Sequence, residues 1–145
     1  MVVVDRSVLA PYGAEKMFAL VEDIESYPEF LPWCEGTHVD LREPGRTIAT
    51  IQANFHGMRQ RFTTENANRP GKRIDITLVS GPFRLLRGHW QFTALEAQGC
   101  RIDFRLEYQF SSRILEKVAG PVFHHIANNF VDAFVRRAEQ KFGLR

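Results

Sequence analysis

Between Arg101 and Phe110 every second residue is apolar: Ile102, Phe104, Leu106, Tyr108 and Phe110 alternate with Arg101, Asp103, Arg105, Glu107 and Gln109. A period of two sends the two sets to opposite faces of a strand, one covered and one in water, as in an antiparallel sheet. Ile74, Ile76 and Leu78 repeat the pattern upstream, as do Trp90, Phe92 and Ala94. Phe83 and Leu85 are out of phase with Leu86, Trp90 and Phe92, which predicts a bulge near Leu85 and a curved sheet. Short breaks rich in turn residues separate the strands: Arg42-Glu43-Pro44-Gly45, Asn54-Phe55-His56-Gly57, Asn68-Arg69-Pro70-Gly71, Ser80-Gly81-Pro82 and Gln98-Gly99. Gaps this short favour a meander.

Elsewhere the period lengthens. Val2 to Leu9 reads as a first strand, and Ala14 to Val21 as a helix with Met17, Phe18, Val21 and Ile24 at helical spacing. From Ser112 to Phe142 an apolar row runs through Ala119, Phe123, Ile126, Phe130, Phe134, Ala138 and Phe142, widened by Leu115, Val118, Val122 and Val131. Gly120-Pro121 interrupts it and predicts a kink or a fresh start at Pro121, and Gly143 is placed to cap the end. This helix is the only element long enough to cover the sheet. The expected fold is therefore α+β, a curved antiparallel sheet wrapped around one long C-terminal helix plus two short helices.

The segment Tyr27-Pro28-Glu29-Phe30-Leu31-Pro32-Trp33-Cys34 sets four large apolar side chains and two prolines where a polar loop would be ordinary. Ser26 and Glu29 fit a capping box, so a single helical turn is expected from Tyr27, stopped by Pro32. Phe30, Leu31 and Trp33 then form a stiff knuckle that either plugs the core or makes the lip of an apolar cavity.

Composition narrows the function classes. The 145 residues, 44% of them hydrophobic, suit one domain spanning residues 1–145. A net charge of +2, from 19 basic and 17 acidic residues, does not suggest a polybasic nucleic-acid binder, and no DNA partner is expected. Cys34 and Cys100 are far apart with no CxxC pair, so neither a zinc site nor a disulfide framework is indicated and a reducing cytoplasm is the natural setting. The apolar run Met1-Val2-Val3-Val4 is too short for a signal-peptide core, so a soluble, unprocessed chain is expected.

The knuckle YPEFLPWC, the stretch GPFRLLRGHWQF from Gly81 to Phe92 and the terminal FHHIANNFVDAFVRRAEQ resemble the Coq10/RatA family of START-like proteins, in the polyketide cyclase/dehydrase superfamily. The order of elements agrees along nearly the whole chain. The resemblance implies a helix-grip, START/Bet v 1-like fold with a hydrophobic tunnel between sheet and long helix. In one branch of the family it implies ubiquinone binding in support of respiration. In another it implies a toxin that associates with the large ribosomal subunit and blocks subunit joining.

The residues themselves favour an apolar ligand, with small residues such as Ala49, Ala53, Gly88 and Ala94 among bulky rings on the expected inner face. The expected lining is Phe30, Leu31 and Trp33 at the mouth, with Phe62, Leu78, Trp90, Phe104, Phe123, Ile126 and Phe130 within, each of which also suits plain core packing. An isoprenoid tail entering such a space gains about 0.8 kcal/mol per methylene equivalent before ordering costs. The leading expectation is a carrier of ubiquinone or a related isoprenoid quinone, cytoplasmic, with peripheral and transient membrane contact. No catalytic residue, metal or catalytic cofactor is expected: His124-His125 lack an i,i+4 partner, and no nucleophile–base order or glycine-rich phosphate loop occurs.

The alternative expectation is a translation inhibitor on the large ribosomal subunit, met by Arg59, Arg61, Lys72 and Arg73, with Arg69, Arg84 and Arg87 nearby in sequence. Arg136, Arg137, Lys141 and Arg145 form a second basic group. Interleaved Glu65, Asp75, Asp103 and Glu107 allow the plainer reading of a solvated sheet face.

Overall fold

In the computed structural model, which describes residues 1–143, seven strands form one antiparallel sheet in the order β1-β7-β6-β5-β4-β3-β2. The strands are β1 (Val2–Ala10), β2 (Cys34–Glu43), β3 (Arg46–Phe55), β4 (Met58–Arg69), β5 (Arg73–Ser80), β6 (Phe83–Ala94) and β7 (Cys100–Phe110). Helix α1 (Ala14–Glu22) and a 3-10 turn (Ile24–Glu29) fill the crossover from β1 to β2, a short 3-10 turn (Glu96–Gln98) links β6 to β7, and α2 (Arg113–Phe142) crosses the inner face. This is the helix-grip arrangement, and among the described residues no helix is long and apolar enough to cross a membrane.

Strand β7 keeps the period of two along its length: Ile102, Phe104, Leu106, Tyr108 and Phe110 are all buried. The bulge expected near Leu85 is present, as a register shift between Phe83 and Leu85 against β7. Pairing of β5 with β6 stops at Thr77 and Arg87, leaving a wide connection through Gly81. There the chain turns with φ +148° and passes so close to Phe62 that a Cβ on Gly81 would lie 2.6 Å from the Cβ of Phe62. A side chain at this position meets both strain and a clash.

Helix α2 differs from expectation at Pro121. It runs unbroken for 30 residues, about 45 Å, with Pro121 inside it. Gly120 presents no Cβ to the proline ring, and Ala119 and Phe123 are buried on either side, so packing holds the helix through the one missing donor. Ser112 caps the start, accepting from the Leu115 amide, and the Gly143 amide donates to the Glu139 carbonyl at the end. The inward row is Ala119, Phe123, Ala127, Val131, Phe134 and Ala138, whereas Val118 and Phe142 are exposed. Ala94, expected inside, is also exposed.

The turn after α1 starts earlier than the capping box suggested. It begins at Ile24 and contains both Ser26 and Pro28, and the Ser26 hydroxyl donates to the Asp23 carboxylate instead of capping a helix from Tyr27. Three residues per turn bring Ile24 and Tyr27 to the same face, and both are buried. Arg42 on β2 clamps this turn through two hydrogen bonds to the Glu25 carboxylate, 2.7 and 3.0 Å, which hold that carboxyl below the usual range.

Candidate functional site

An apolar cavity lies between the inner sheet face, the 3-10 turn and the middle of α2. Its floor is made by alternate residues of adjacent strands: Ala49 and Ile51 from β3, Phe62, Thr64 and Asn66 from β4, Ile74 and Ile76 from β5, Leu86 and Trp90 from β6, Phe104 and Leu106 from β7. Phe123, Ile126, Ala127 and Phe130 of α2 roof it, and Val21, Ile24, Tyr27 and Trp33 close the side. Trp90 anchors the interior, 4.7 Å from the Phe104 ring and 5.6 Å from Phe130, and Trp33 leans on Phe130 at 6.0 Å.

Seven of the ten expected lining residues meet here: Trp33, Phe62, Trp90, Phe104, Phe123, Ile126 and Phe130. Phe30, Leu31 and Leu78 do not line it. Phe30 turns away from the mouth to pack on Tyr27 and Phe134 beneath the Arg137 guanidinium, 5.0 Å from its ring. Leu31 is 2% exposed and part of the core, and Leu78 lies beyond Ile76, where β5 has parted from β6. The sequence reading missed the polar wall, Thr64 and Asn66, although both fall on the period-two row of β4 that starts with Phe62.

The hydrophobic space expected between sheet and long helix is present but narrow. The cavity measures about 90 Å³, less than the roughly 150 Å³ that admits benzene in an engineered core. One end is stopped by rings around Phe123: Tyr108 at 4.7 Å, Phe83 at 5.1 Å, Phe55 and Phe110 at 5.7 Å. A quinone ring therefore enters only if the walls part.

The polar chemistry of the lining is sparse. The Tyr27 hydroxyl donates its proton to the Val21 carbonyl, and burial raises its pKa far above the ordinary phenol value. The Oδ1 of Asn66 is buried and accepts no hydrogen bond. Neither His124 nor His125 reaches the cavity. His124 meets the Tyr108 hydroxyl at 3.1 Å and the Asn128 amide at 2.9 Å, and His125 lies beside Asn129, on the exposed side of α2. Cys34 and Cys100 are buried free thiols, each pushed up to about 11 by desolvation.

The basic residues do not form one patch. Arg59 and Arg61 lie near the β3–β4 hairpin, whereas Lys72 and Arg73 follow the far end of β4; Arg61 and Arg69 alone are about 26 Å apart along the strand. Arg59 pairs with Glu35 at 3.2 Å, Arg73 with Asp75 at 3.0 Å and Arg87 with Glu107 at 2.6 Å, so part of the charge is compensated. Among the described residues Lys16, Arg69, Lys72, Arg136 and Lys141 have no ion-pair partner, and neither do Arg61, Arg84, Arg113 and Lys117. Those four gather at one end: a Cβ on Gly81 would lie 3.5 Å from the Arg61 carbonyl, and the Ser111 amide donates to the Pro82 carbonyl, joining the β5–β6 connection to the start of α2. Ile114 and Val118, 75% and 50% exposed, stand beside them. In the second group, Arg137 is tied to Glu29 and Arg145 lies outside the described residues.

Comparison with known proteins agrees with this architecture. The chain is 43% identical over 140 residues to the ribosome association toxin RatA of Vibrio cholerae, covering 97% of each. It is 25% identical to the mitochondrial coenzyme Q-binding protein COQ10 homolog B of Xenopus laevis, across 95% of this chain and 58% of that one. The solution structure of an 18 kDa protein from Caulobacter crescentus superposes with a TM-score of 0.74 at 28% identity, covering 99% of this chain and 100% of the other. Residues 10–135, from the end of β1 to the last third of α2 and including every residue around the cavity, match the family described as polyketide cyclase/dehydrase and lipid transport, and the chain belongs to that START-like family.

Proposed function

We propose that this chain associates with the large ribosomal subunit and inhibits translation by opposing subunit joining. The observation that carries the reading is the end-to-end similarity to a protein named for ribosome association. The surface that suits it is the end of the molecule bearing Arg61, Arg84, Arg113 and Lys117, where four uncompensated cations can each displace a counterion from ribosomal RNA. Four such contacts give a slope of about −3 in log affinity against log salt, roughly a tenfold loss for each doubling of ionic strength. Sedimentation with purified subunits tests it. Wild-type protein should travel with the large subunit at low salt, and Arg61→Glu with Arg84→Glu should weaken that association at least about tenfold. Lys72→Glu with Arg73→Glu, at the opposite end, should leave it unchanged. Absence of co-sedimentation at low salt sinks the proposal.

The cavity supports a second reading, in which the domain also holds a lipophilic ligand such as an isoprenoid quinone and performs no chemistry on it. Its lining is apolar apart from Thr64, Asn66 and Tyr27, whose proton is given to the Val21 carbonyl, and offers no nucleophile–base pair. Mass spectrometry of solvent extracts from protein purified out of its host tests this, with stoichiometric lipid as the supporting result and an empty, well-folded protein as the opposing one.

A further inference from the structure

We propose that the cavity selects a neutral ligand bearing a hydroxyl group, and that Asn66 accepts the hydrogen bond from it. This rests on the apolar-ligand reading above. On the inner face of β4 the row that begins with Phe62 continues as Thr64, Asn66 and Asn68, where a covered sheet would ordinarily carry aliphatic side chains. Asn68, off the cavity, also has a buried Oδ1 without a donor, but its amide has a use, donating to the Thr47 hydroxyl at 3.0 Å. Asn66 has none: its Oδ1 is buried at the cavity wall without a donor.

A buried acceptor left without a donor weakens the fold, so retaining one beside an apolar space makes sense if a guest supplies the proton. The only phenol in the lining cannot, because the Tyr27 hydroxyl is committed to the Val21 carbonyl. The lining contains no Lys, Arg, His, Asp or Glu. A carboxylate or phosphate head group would therefore sit as an unpaired charge in an apolar site, which excludes fatty acids and phospholipids as head-inward guests. An alcohol or a phenol meets both conditions. Its direction also follows: Asn66 lies toward the α1 end and Phe62 about 13 Å along the same strand toward the ring stopper, so the head sits near α1 with the apolar part pointing at Phe123.

The test uses pentylhydroquinone and pentylbenzoquinone, which share a carbon skeleton and differ in offering hydroxyl donors or carbonyl acceptors. Each is titrated anaerobically into the full chain by calorimetry. Wild-type protein should bind the hydroquinone about tenfold more tightly. Asn66→Leu should bring the two affinities within about twofold while melting no lower than wild type, and Asn66→Ala serves as the second variant if the leucine does not fit. A preference that survives in both variants, or a preference for the quinone, overturns the assignment. Equal binding of both compounds by wild type overturns it too but leaves the apolar-ligand reading standing, and binding of neither overturns both.

Discussion

Gly88 is the position where one added carbon should do the most damage. It lies in the middle of β6, opposite Leu106 on β7 and Ile76 on β5, with an ordinary negative φ, so backbone strain is not the issue. A Cβ there would lie 2.1 Å from the Arg105 carbonyl oxygen and 3.0 Å from the Leu106 Cα. Ordinary carbon–oxygen contacts begin at about 3.3 Å, so the two central strands must part by about 1 Å. Overpacking costs about 1–3 kcal/mol where side chains can yield. Here the neighbour is backbone in the most extensively paired part of the sheet, which puts Gly88→Ala at the upper end. Restricting the unfolded chain returns about 0.4–1 kcal/mol, for a net loss of about 2–3 kcal/mol. With an unfolding entropy of about 2.1 cal/mol/K per residue, that lowers Tm by about 7–10 °C, readable by circular dichroism or calorimetry. Gly36→Ala is the control, because its Cβ would meet only the Gln52 side chain at 3.5 Å, an ordinary contact on an edge strand, and its Tm should hold or rise. A Gly88→Ala protein melting within about 2 °C of wild type would refute the close approach of β6 and β7.

Two further outcomes follow from the core. Trp90→Ala removes a ring that is 1% exposed and touches Phe92, Phe104, Phe130 and Phe134, so urea denaturation should show a loss of about 3–5 kcal/mol. The thiols of Cys34 and Cys100 titrate near 11 when folded against 9.0 when free, so the folded state favours their protonated forms. Their contribution is complete below pH 9 and is lost as pH rises from 9 to 11; stability of the wild type should fall more steeply across that window than that of the Cys34→Ala, Cys100→Ala variant.

The strands and the long helix were legible because burial writes a period into the chain: β7 alternates without a fault, and the register shift at Leu85 shows as a break in phase. Pro121 was harder. Its effect on a helix depends on what the flanking residues bury, and the packing of Ala119 and Phe123 is a property of the assembled core. Phe30, Leu31 and Trp33 look alike in sequence, yet a 3-10 turn that starts at Ile24 sends one under Arg137, one into the core and one to the cavity. Which cations stay uncompensated depends on strand neighbours brought together from distant segments, as with Arg87 and Glu107. Asn66 could have been found from sequence by following the Phe62 row through its polar members; counting apolar residues alone hides it.

The pairing of the first strand with the last sets a timetable for synthesis. Val2 meets Tyr108 and Ala10 meets Cys100, and among the described residues β1 has no other strand beside it. Strand β1 leaves the ribosome well ahead of β7 and thus waits for roughly a hundred more residues, on the order of ten seconds at ordinary elongation rates, before its partner exists. Helix α2, which covers the inner face and brings Arg113 and Lys117 beside Arg84, is made after all seven strands. The nascent chain consequently carries neither a closed sheet nor the assembled basic end until β7 and then α2 have emerged.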